Sequence, residues 1–178
     1  MRHALKLHPD SRPDAVTRIE VDVARPRAGN LLLHYFVTGK ISDLLMPPVS
    51  APMRTNELWR HTCFEAFVRL SPGDAYYEFN FASSTQWAAY RFSGARRGMH
   101  VASEIREPRI DMQLNGESYE MQVSLDLPSD APWRLGLSAV IEETNGRKSY
   151  WALAHPPGKA DFHHSDCFAL ELPAPLRP

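Results

Sequence analysis

Long apolar runs are missing from this sequence: no stretch approaches the roughly 18 consecutive apolar residues that a transmembrane helix requires. The N-terminal segment also lacks the apolar centre of a secretory signal peptide. Cysteines are scarce, with only Cys63 and Cys167 present, which fits a reducing compartment better than a disulfide-stabilised secreted domain. We therefore expect a cytoplasmic protein that neither spans nor binds a membrane.

Charge of one sign is not concentrated anywhere in the chain. There are 20 basic and 21 acidic residues, the net charge is −1, and like charges form no block. Nucleic acid and anionic membranes are therefore not expected as partners, because both require a basic surface. The sequence also lacks a glycine-rich nucleotide-binding motif after a predicted strand. It shows no pattern in which a serine or cysteine nucleophile is paired with a base and an orienting group. On these grounds we expect no cofactor and no catalytic residue.

Turn-forming residues are abundant, with 15 prolines and 9 glycines spread between short apolar runs. Residues 118–127 alternate apolar and polar side chains, and Asn-Gly hairpin signals occur at 115–116 and 145–146. The chain predicts about nine or ten short strands and no helix longer than one or two turns. This pattern is typical of an all-β protein with an antiparallel β-sandwich. Residues 1–178 are expected to form a single domain whose core spans about 8–172.

The most informative part of the chain is a pair of alternating segments, 63–70 and 76–81, joined by a Ser-Pro-Gly-Asp turn. A four-residue turn places Glu65 opposite Asn80 and puts the large apolar side chains on the other face. A five-residue turn would place Asn80 and a carboxylate, Glu78, in the core without partners. The first register is therefore predicted.

A third segment, 86–92, is predicted to continue this sheet. A turn of two or four residues before it gives the same result, because both place Trp87 and Arg91 on the polar face. That face then carries Glu65, Glu78, Asn80, Trp87 and Arg91. An indole beside carboxylates, an amide and a guanidinium suits a polyhydroxylated ring, which stacks on the indole and meets the polar groups with its hydroxyls. The alternative is an ordinary solvated face with exposed ion pairs.

Histidines and a tryptophan near the C-terminus form a second group of candidates. Trp151 and His155 fall on the same side of one predicted strand, and His163 follows in a loop. The spacing of the histidines and aspartates within residues 155–166 is compatible with a metal site. His61 would complete a histidine-rich rim with His155, and Trp151 would line the pocket. The alternatives to a metal site are a loop that folds over the end of the sandwich, with Asp161 or His163 bonded to ligand or backbone, and a loop with only a structural role.

Four fragments carry a resemblance: NELWRHTCFEAFV, YYEFNFASSTQWAAYRF, SAVIE and SYWALAHPPGKADFHHSDCFAL. They are similar to an uncharacterised bacterial subgroup of DOMON-like proteins, a superfamily related to the type 9 carbohydrate-binding modules. The likeness runs over about residues 8–172. It implies an immunoglobulin-like β-sandwich with a ligand pocket on one concave sheet, where relatives hold sugars or haem. The residues in the part similar to the sugar modules' binding strands are Trp59, Glu65, Glu78, Asn80 and Trp87.

The sequence therefore predicts a domain that binds a small sugar or sugar derivative without catalysis. Trp59 and Trp87 would stack on the ligand, and Arg54 or Arg91 would take a carboxylate or phosphate. The candidate ligand-binding residues are Arg54, Trp59, His61, Glu65, Glu78, Asn80, Trp87, Arg91, Trp151, His155 and His163. The alternatives are an enzyme that uses one of these histidines as acid or base, a haem- or metal-binding domain, and a protein-interaction module. The oligomeric state is left open.

Overall fold

The computed structural model describes residues 1–174, and within them the chain forms twelve β-strands and no α-helix. The strands are β1 (Arg2–Leu7), β2 (Val16–Ala24), β3 (Asn30–Gly39), β4 (Cys63–Leu70), β5 (Tyr76–Phe81), β6 (Trp87–Phe92), β7 (His100–Val101), β8 (Arg109–Asn115), β9 (Ser118–Asp126), β10 (Trp133–Glu142), β11 (Lys148–Ala152) and β12 (Leu170–Leu172). Single-turn 3-10 helices lie at Ile41–Asp43, Leu58–Arg60 and Ser165–Cys167. No helix in this part of the chain is long and apolar enough to cross a bilayer.

The strands form two antiparallel sheets that are connected by β1. The first sheet has the order β1-β2-β3-β9-β8, and the second has the order β7-β6-β5-β4-β10-β11, with β12 also beside β10. β1 pairs with β2 in the first sheet and, through Lys6 and Leu7, with β11 in the second. This is the antiparallel β-sandwich that the sequence predicts. There are more than nine or ten strands partly because β7 has only two residues, too few for a visible alternation.

Alternating side chains from both sheets fill the space between them. Along β9, the side chains of Tyr119, Met121, Val123 and Leu125 are buried, as the sequence pattern predicts. The ring of Phe64 from β4 stacks on Tyr119 with the ring centroids 5.8 Å apart. Each large apolar side chain buried in this way contributes about 1.5–3 kcal/mol to stability. The core between the sheets is therefore the main source of stability.

The pairing of β4 with β5 confirms the predicted register. Glu65 lies opposite Asn80, and Phe67 lies opposite Glu78. These four side chains point away from the core between the sheets, and the surface that they share is called the outer face of the second sheet below. Burying a carboxylate and an amide in an apolar core without partners is costly, which is why the apolar pattern selects this register.

The pairing of β5 with β6 differs from the prediction. Phe81 lies opposite Trp87, and Phe79 lies opposite Ala89. Trp87 and Ala89 therefore belong to the core between the sheets. Arg91 shares their side of β6 at its exposed end. The expectation that Trp87 and Arg91 join the polar face is wrong.

A turn of odd length causes this inversion. The N–H of Ala82 donates to the carbonyl oxygen of Gln86 (3.0 Å), which closes a turn formed by Ser83, Ser84 and Thr85. Thr85 has a φ of 71°, in the left-handed region. A left-handed third residue is characteristic of three-residue hairpin turns, and glycine usually occupies that position. Because this turn has threonine there, the sequence carries no signal for its length.

Replacing Thr85 with asparagine is expected to raise the free energy of unfolding by about 0.5–1 kcal/mol. A β-branched side chain is strained in the left-handed region, whereas asparagine tolerates it. The exposed hydrogen bond from the Thr85 hydroxyl to the carbonyl oxygen of Ser50 (2.8 Å) is lost, which limits the gain. Urea unfolding measures the change. Thr17→Asn, at a position of β2 that is not in the left-handed region, should give no increase. A loss of stability in Thr85→Asn would contradict the strain.

Candidate functional site

A cavity lies against the outer face of the second sheet. It has a volume of about 420 Å³, is open to the surface, and is bordered by the 3-10 helix at Leu58–Arg60 and by residues 160–163. Its walls include Trp59, Glu65, Phe67, Glu78, Phe162 and His163. Pockets for small ligands typically measure roughly 300–1,000 Å³, so this cavity is of suitable size.

Two carboxyl groups form part of the cavity wall. Glu65 is 3% exposed and Glu78 is 5% exposed. One oxygen of Glu65 accepts a hydrogen bond from the Ser138 hydroxyl (2.9 Å), and one oxygen of Glu78 accepts a hydrogen bond from the Asn80 amide (2.8 Å). Within residues 1–174, the second oxygen of each carboxyl accepts no hydrogen bond, although that of Glu78 lies 3.6 Å from Nε2 of His163. Each carboxyl therefore keeps one oxygen for a ligand.

Burial dominates the electrostatics of this pair. It raises the pKa of Glu65 well above the ordinary value, and the nearby Glu78 carboxyl raises that pKa further, against the opposing hydrogen bond from Ser138. Burial likewise raises the pKa of Glu78, while the Asn80 amide and the Arg96 guanidinium act in the opposite direction. Carboxyl groups with raised pKa values inside a cavity are typical of functional sites, because a fold gains no stability from them.

His163 approaches the pair from residues 160–163, which are called the covering segment below. Its Nδ1 lies 2.7 Å from the hydroxyl of Tyr76, and that hydroxyl accepts a hydrogen bond from the backbone N–H of Arg96 (3.2 Å). Tyr76 therefore donates to Nδ1, which leaves the ring proton on Nε2, toward Glu78. Burial lowers the pKa of His163 to about 4, and the Arg96 charge adds to this effect. His163 is thus neutral at pH 7.

An ion pair fixes the covering segment to the loop that follows β6. Nε and Nη2 of Arg96 both donate to Oδ1 of Asp161 (3.2 and 2.7 Å), and the same oxygen accepts a hydrogen bond from the backbone N–H of His163 (3.1 Å). The ring of His163 packs edge-on against Phe67 and Phe92, with ring centroids 5.1 Å from each. These contacts hold the segment over the cavity and leave the carboxyls beneath it.

Some of the residues predicted from sequence meet at this cavity, and the others do not. Those that meet there are Trp59, Glu65, Glu78, Asn80 and His163. Asn80 is completely buried and acts through its hydrogen bond to Glu78. Trp59 comes from the 3-10 helix at the rim, and its ring contacts Tyr90 edge-on with centroids 5.9 Å apart.

Arg54 and Trp87 form a structural unit away from the cavity. The Arg54 guanidinium lies 4.1 Å above the ring of Trp87. It also donates to the carbonyl oxygens of Ala89, Ala102 and Ile105 (3.3, 3.2 and 2.7 Å). Its donors are therefore used to hold backbone segments together, and the predicted role of Arg54 in binding an anion has no support from its position.

Trp151 and Arg91 are also directed away from the cavity. Trp151 lies in the core between the sheets, where its indole N–H donates to the hydroxyl of Ser149 (2.9 Å). The guanidinium of Arg91 lies 3.7 Å from the carboxylate of Glu104 at the surface. Both residues are on the core side of their strands, opposite the outer face.

Two of the candidate histidines lie outside the cavity. Nδ1 of His61 is 2.6 Å from the carboxylate of Glu142 at an exposed position. Nε2 of His155 donates to the carbonyl oxygen of Lys6 (2.8 Å). A histidine-rich rim does not form. Within residues 1–174, no three His, Cys, Asp or Glu side chains converge on a position where they would hold a metal ion.

Several groups at the site are not among the candidate ligand-binding residues predicted from sequence. These are Ser138, Tyr76, Arg96, Tyr150 and Phe162. One signal for Ser138 exists: in β10, Gly136 and Ser138 alternate with large apolar residues, which indicates space on the outer face. The positions of Arg96 and Phe162 depend on loop packing and have no such signal.

A second hollow, of about 740 Å³, lies between β8 and residues 41–49. Apolar side chains such as Leu44, Met46, Ile110 and Met112 form most of its lining. It has no buried carboxyl pair and therefore lacks the convergent polar groups that orient a polar ligand. The cavity on the outer face of the second sheet is the better candidate site.

Comparison with known proteins identifies the fold. No protein-family model and no curated protein sequence matches the chain. One similar structure is a protein of Bacteroides uniformis ATCC 8492 that is provisionally named a carbohydrate-binding protein. It is 15% identical in sequence and has a TM-score of 0.59, and the alignment covers 89% of this chain and 80% of that chain. A family 9 carbohydrate-binding module of Caldicellulosiruptor kristjanssonii in complex with cellotriose is 8% identical, with a TM-score of 0.54 over 89% and 74% of the two chains. A family 9 module of the same organism in complex with glucose is 10% identical, with a TM-score of 0.53 over 98% and 86%. At these identities the likeness establishes a shared β-sandwich fold.

Proposed function

We propose that this chain is a DOMON-like binding domain that takes up a small saccharide or saccharide derivative without chemical change. The ligand occupies the cavity on the outer face of the second sheet. The observation that carries the proposal is the meeting of two buried carboxyls with aromatic walls in one cavity, where each carboxyl has an uncommitted oxygen. Sugar hydroxyls bond to such oxygens, and the apolar side of the ring packs on the aromatic side chains.

The kinds of ligand in the neighbouring structures support this function. Two of them contain a family 9 carbohydrate-binding module in complex with cellotriose or glucose. A shared fold alone does not carry a function across such low identity, so the weight of the proposal rests on the residues of the cavity. Trp59 takes the stacking role that the sequence assigned jointly to Trp59 and Trp87, because Trp87 is in the core.

Replacing Trp59 with alanine is expected to weaken saccharide binding by about tenfold or more, through loss of an aromatic surface in the cavity wall. Isothermal titration calorimetry with a panel of mono- and disaccharides measures the affinity, after tryptophan fluorescence identifies the saccharides that bind. His61→Ala is a matched control, since His61 is only two positions away and exposed. Unchanged binding in Trp59→Ala, or equal loss in both variants, would place the ligand elsewhere.

Acid–base chemistry on the same ligand is a second candidate function. It is favoured by one observation: neutral His163 lies in the cavity, with its Nε2 3.6 Å from the Glu78 carboxyl. A carboxyl with a raised pKa and a neutral imidazole are the groups that general acid–base catalysis uses. Release of chromophore from aryl glycosides tests for it. Turnover that disappears in His163→Ala would favour this function over binding alone.

A further inference from the structure

The cavity contains two acidic groups without a basic side chain to neutralise them. Glu65 and Glu78 lie on neighbouring strands, and within residues 1–174 no Lys or Arg side chain forms a salt bridge with either carboxyl. The Arg96 guanidinium reaches the wall, but it is paired with Asp161 and is 61% exposed. His163 is neutral because burial lowers its pKa to about 4. A cation brought by the ligand would therefore meet two acidic partners.

The walls around these carboxyls also suit a cation. Aromatic side chains from five different segments line the cavity: Trp59, Phe67, Phe92, Tyr150 and Phe162. The face of an aromatic ring attracts a positive charge, most strongly where water is excluded. The same rings pack against the apolar side of a sugar ring. The cavity thus combines recognition of a sugar ring with recognition of a positive charge.

We propose, on the basis of the binding function proposed above, that the ligand is an amino sugar whose protonated amino group binds the carboxyls of Glu65 and Glu78. An ammonium group has three N–H donors, enough to serve the uncommitted oxygen of each carboxyl. Its charge also lowers the pKa of both carboxyls and favours their ionised form in the complex, which a neutral hydroxyl does not. An anionic sugar would be repelled by the same two groups.

Matched sugars that differ at one substituent test this directly. The three series are glucose, galactose and mannose, each with its 2-amino and its 2-acetamido derivative. Affinities are measured by calorimetry at pH 6, where the amino groups of the free sugars are protonated. The amino sugar of at least one series is expected to bind about tenfold or more tightly than both its hydroxyl and its acetamido counterparts. Equal or tighter binding of the neutral sugars would overturn the inference and leave the saccharide-binding function standing. Binding of no sugar would overturn both.

Isosteric variants locate the preference within the cavity. Glu65→Gln and Glu78→Gln should each reduce the preference for the amino sugar to about threefold or less, because each weakens binding of the charged amino sugar more than binding of the neutral sugar. Glu120→Gln, on the first sheet and bonded to His34, is the matched control and should keep the full preference. Circular dichroism verifies that the variants are folded. A preference that persists in both cavity variants would show that the amino group binds elsewhere and would overturn the assignment.

Discussion

Replacing Trp87 with alanine is expected to lower the free energy of unfolding by about 3–5 kcal/mol, the usual cost of removing a large aromatic side chain from a core. Trp87 is 4% exposed and belongs to the core between the sheets. Its indole N–H has no hydrogen-bond partner in residues 1–174, so the loss comes from apolar burial and packing. The guanidinium of Arg54, 4.1 Å above the ring, would lose its stacking partner as well.

Urea unfolding of Trp87→Ala and Trp59→Ala separates stability from binding. Trp59→Ala should cost about 1 kcal/mol or less, because this residue is only partly buried at the rim, and should weaken saccharide binding. Trp87→Ala should lose stability but should still bind the saccharide under conditions where the variant is folded. Loss of binding with unchanged unfolding in Trp87→Ala would mean that the indole faces the ligand, and the pairing of β5 with β6 described above would be wrong.

The contrast between two neighbouring turns explains how far the sequence predicts this fold. The turn between β4 and β5 contains Pro72 and Gly73, and a wrong register there would bury Glu78 in the core, so chemistry and pattern agree. The turn before β6 has no glycine or asparagine. β6 itself is apolar on both sides, with Trp87 on one and Tyr90 on the other, so no polar residue penalises an inverted register. The face assignment of β6 therefore required the structure.

The candidate site was predictable only where its residues are close together in the sequence. Glu65, Glu78 and Asn80 belong to one hairpin, and local alternation places them on one face. Ser138, which bonds to Glu65, comes from a strand 73 positions later, and the pairing of β10 with β4 brings it there. His163 is brought to Glu78 by the fold of the covering segment. Long-range pairing and loop packing have no periodic signature, so these partners were missed or left among alternatives.

Replacing Glu65 with glutamine is expected to raise the free energy of unfolding by roughly 2–3 kcal/mol at pH 9 and to leave it nearly unchanged at pH 4, given about 1.4 kcal/mol for each unit of pKa shift. Burial and the neighbouring Glu78 raise the pKa of Glu65 above the ordinary value of 4.5. Below that value, both the folded and the unfolded chain hold the proton, and no charge is buried. As the pH rises, the unfolded chain releases its proton first, and the native protein must then either retain the proton or bury a charge, so its stability falls through the folded-state pKa.

Urea unfolding at pH 4, 7 and 9 measures this difference between the variant and the unmodified protein. Glutamine keeps the shape of the side chain and an oxygen that accepts the hydrogen bond from Ser138, so the comparison isolates the charge. Glu171→Gln is the control, because that carboxyl is 73% exposed and pairs with Arg134 at the surface, where the change should stay within about 1 kcal/mol at every pH. A gain in Glu65→Gln that grows with pH would show that the acid is retained at a cost to stability, as expected of a residue kept for binding. A constant difference would mean that folding does not raise the pKa of Glu65, and a loss at pH 9 would mean that Glu65 is stabilised as a charged group. Either result would remove the electrostatic basis of the site.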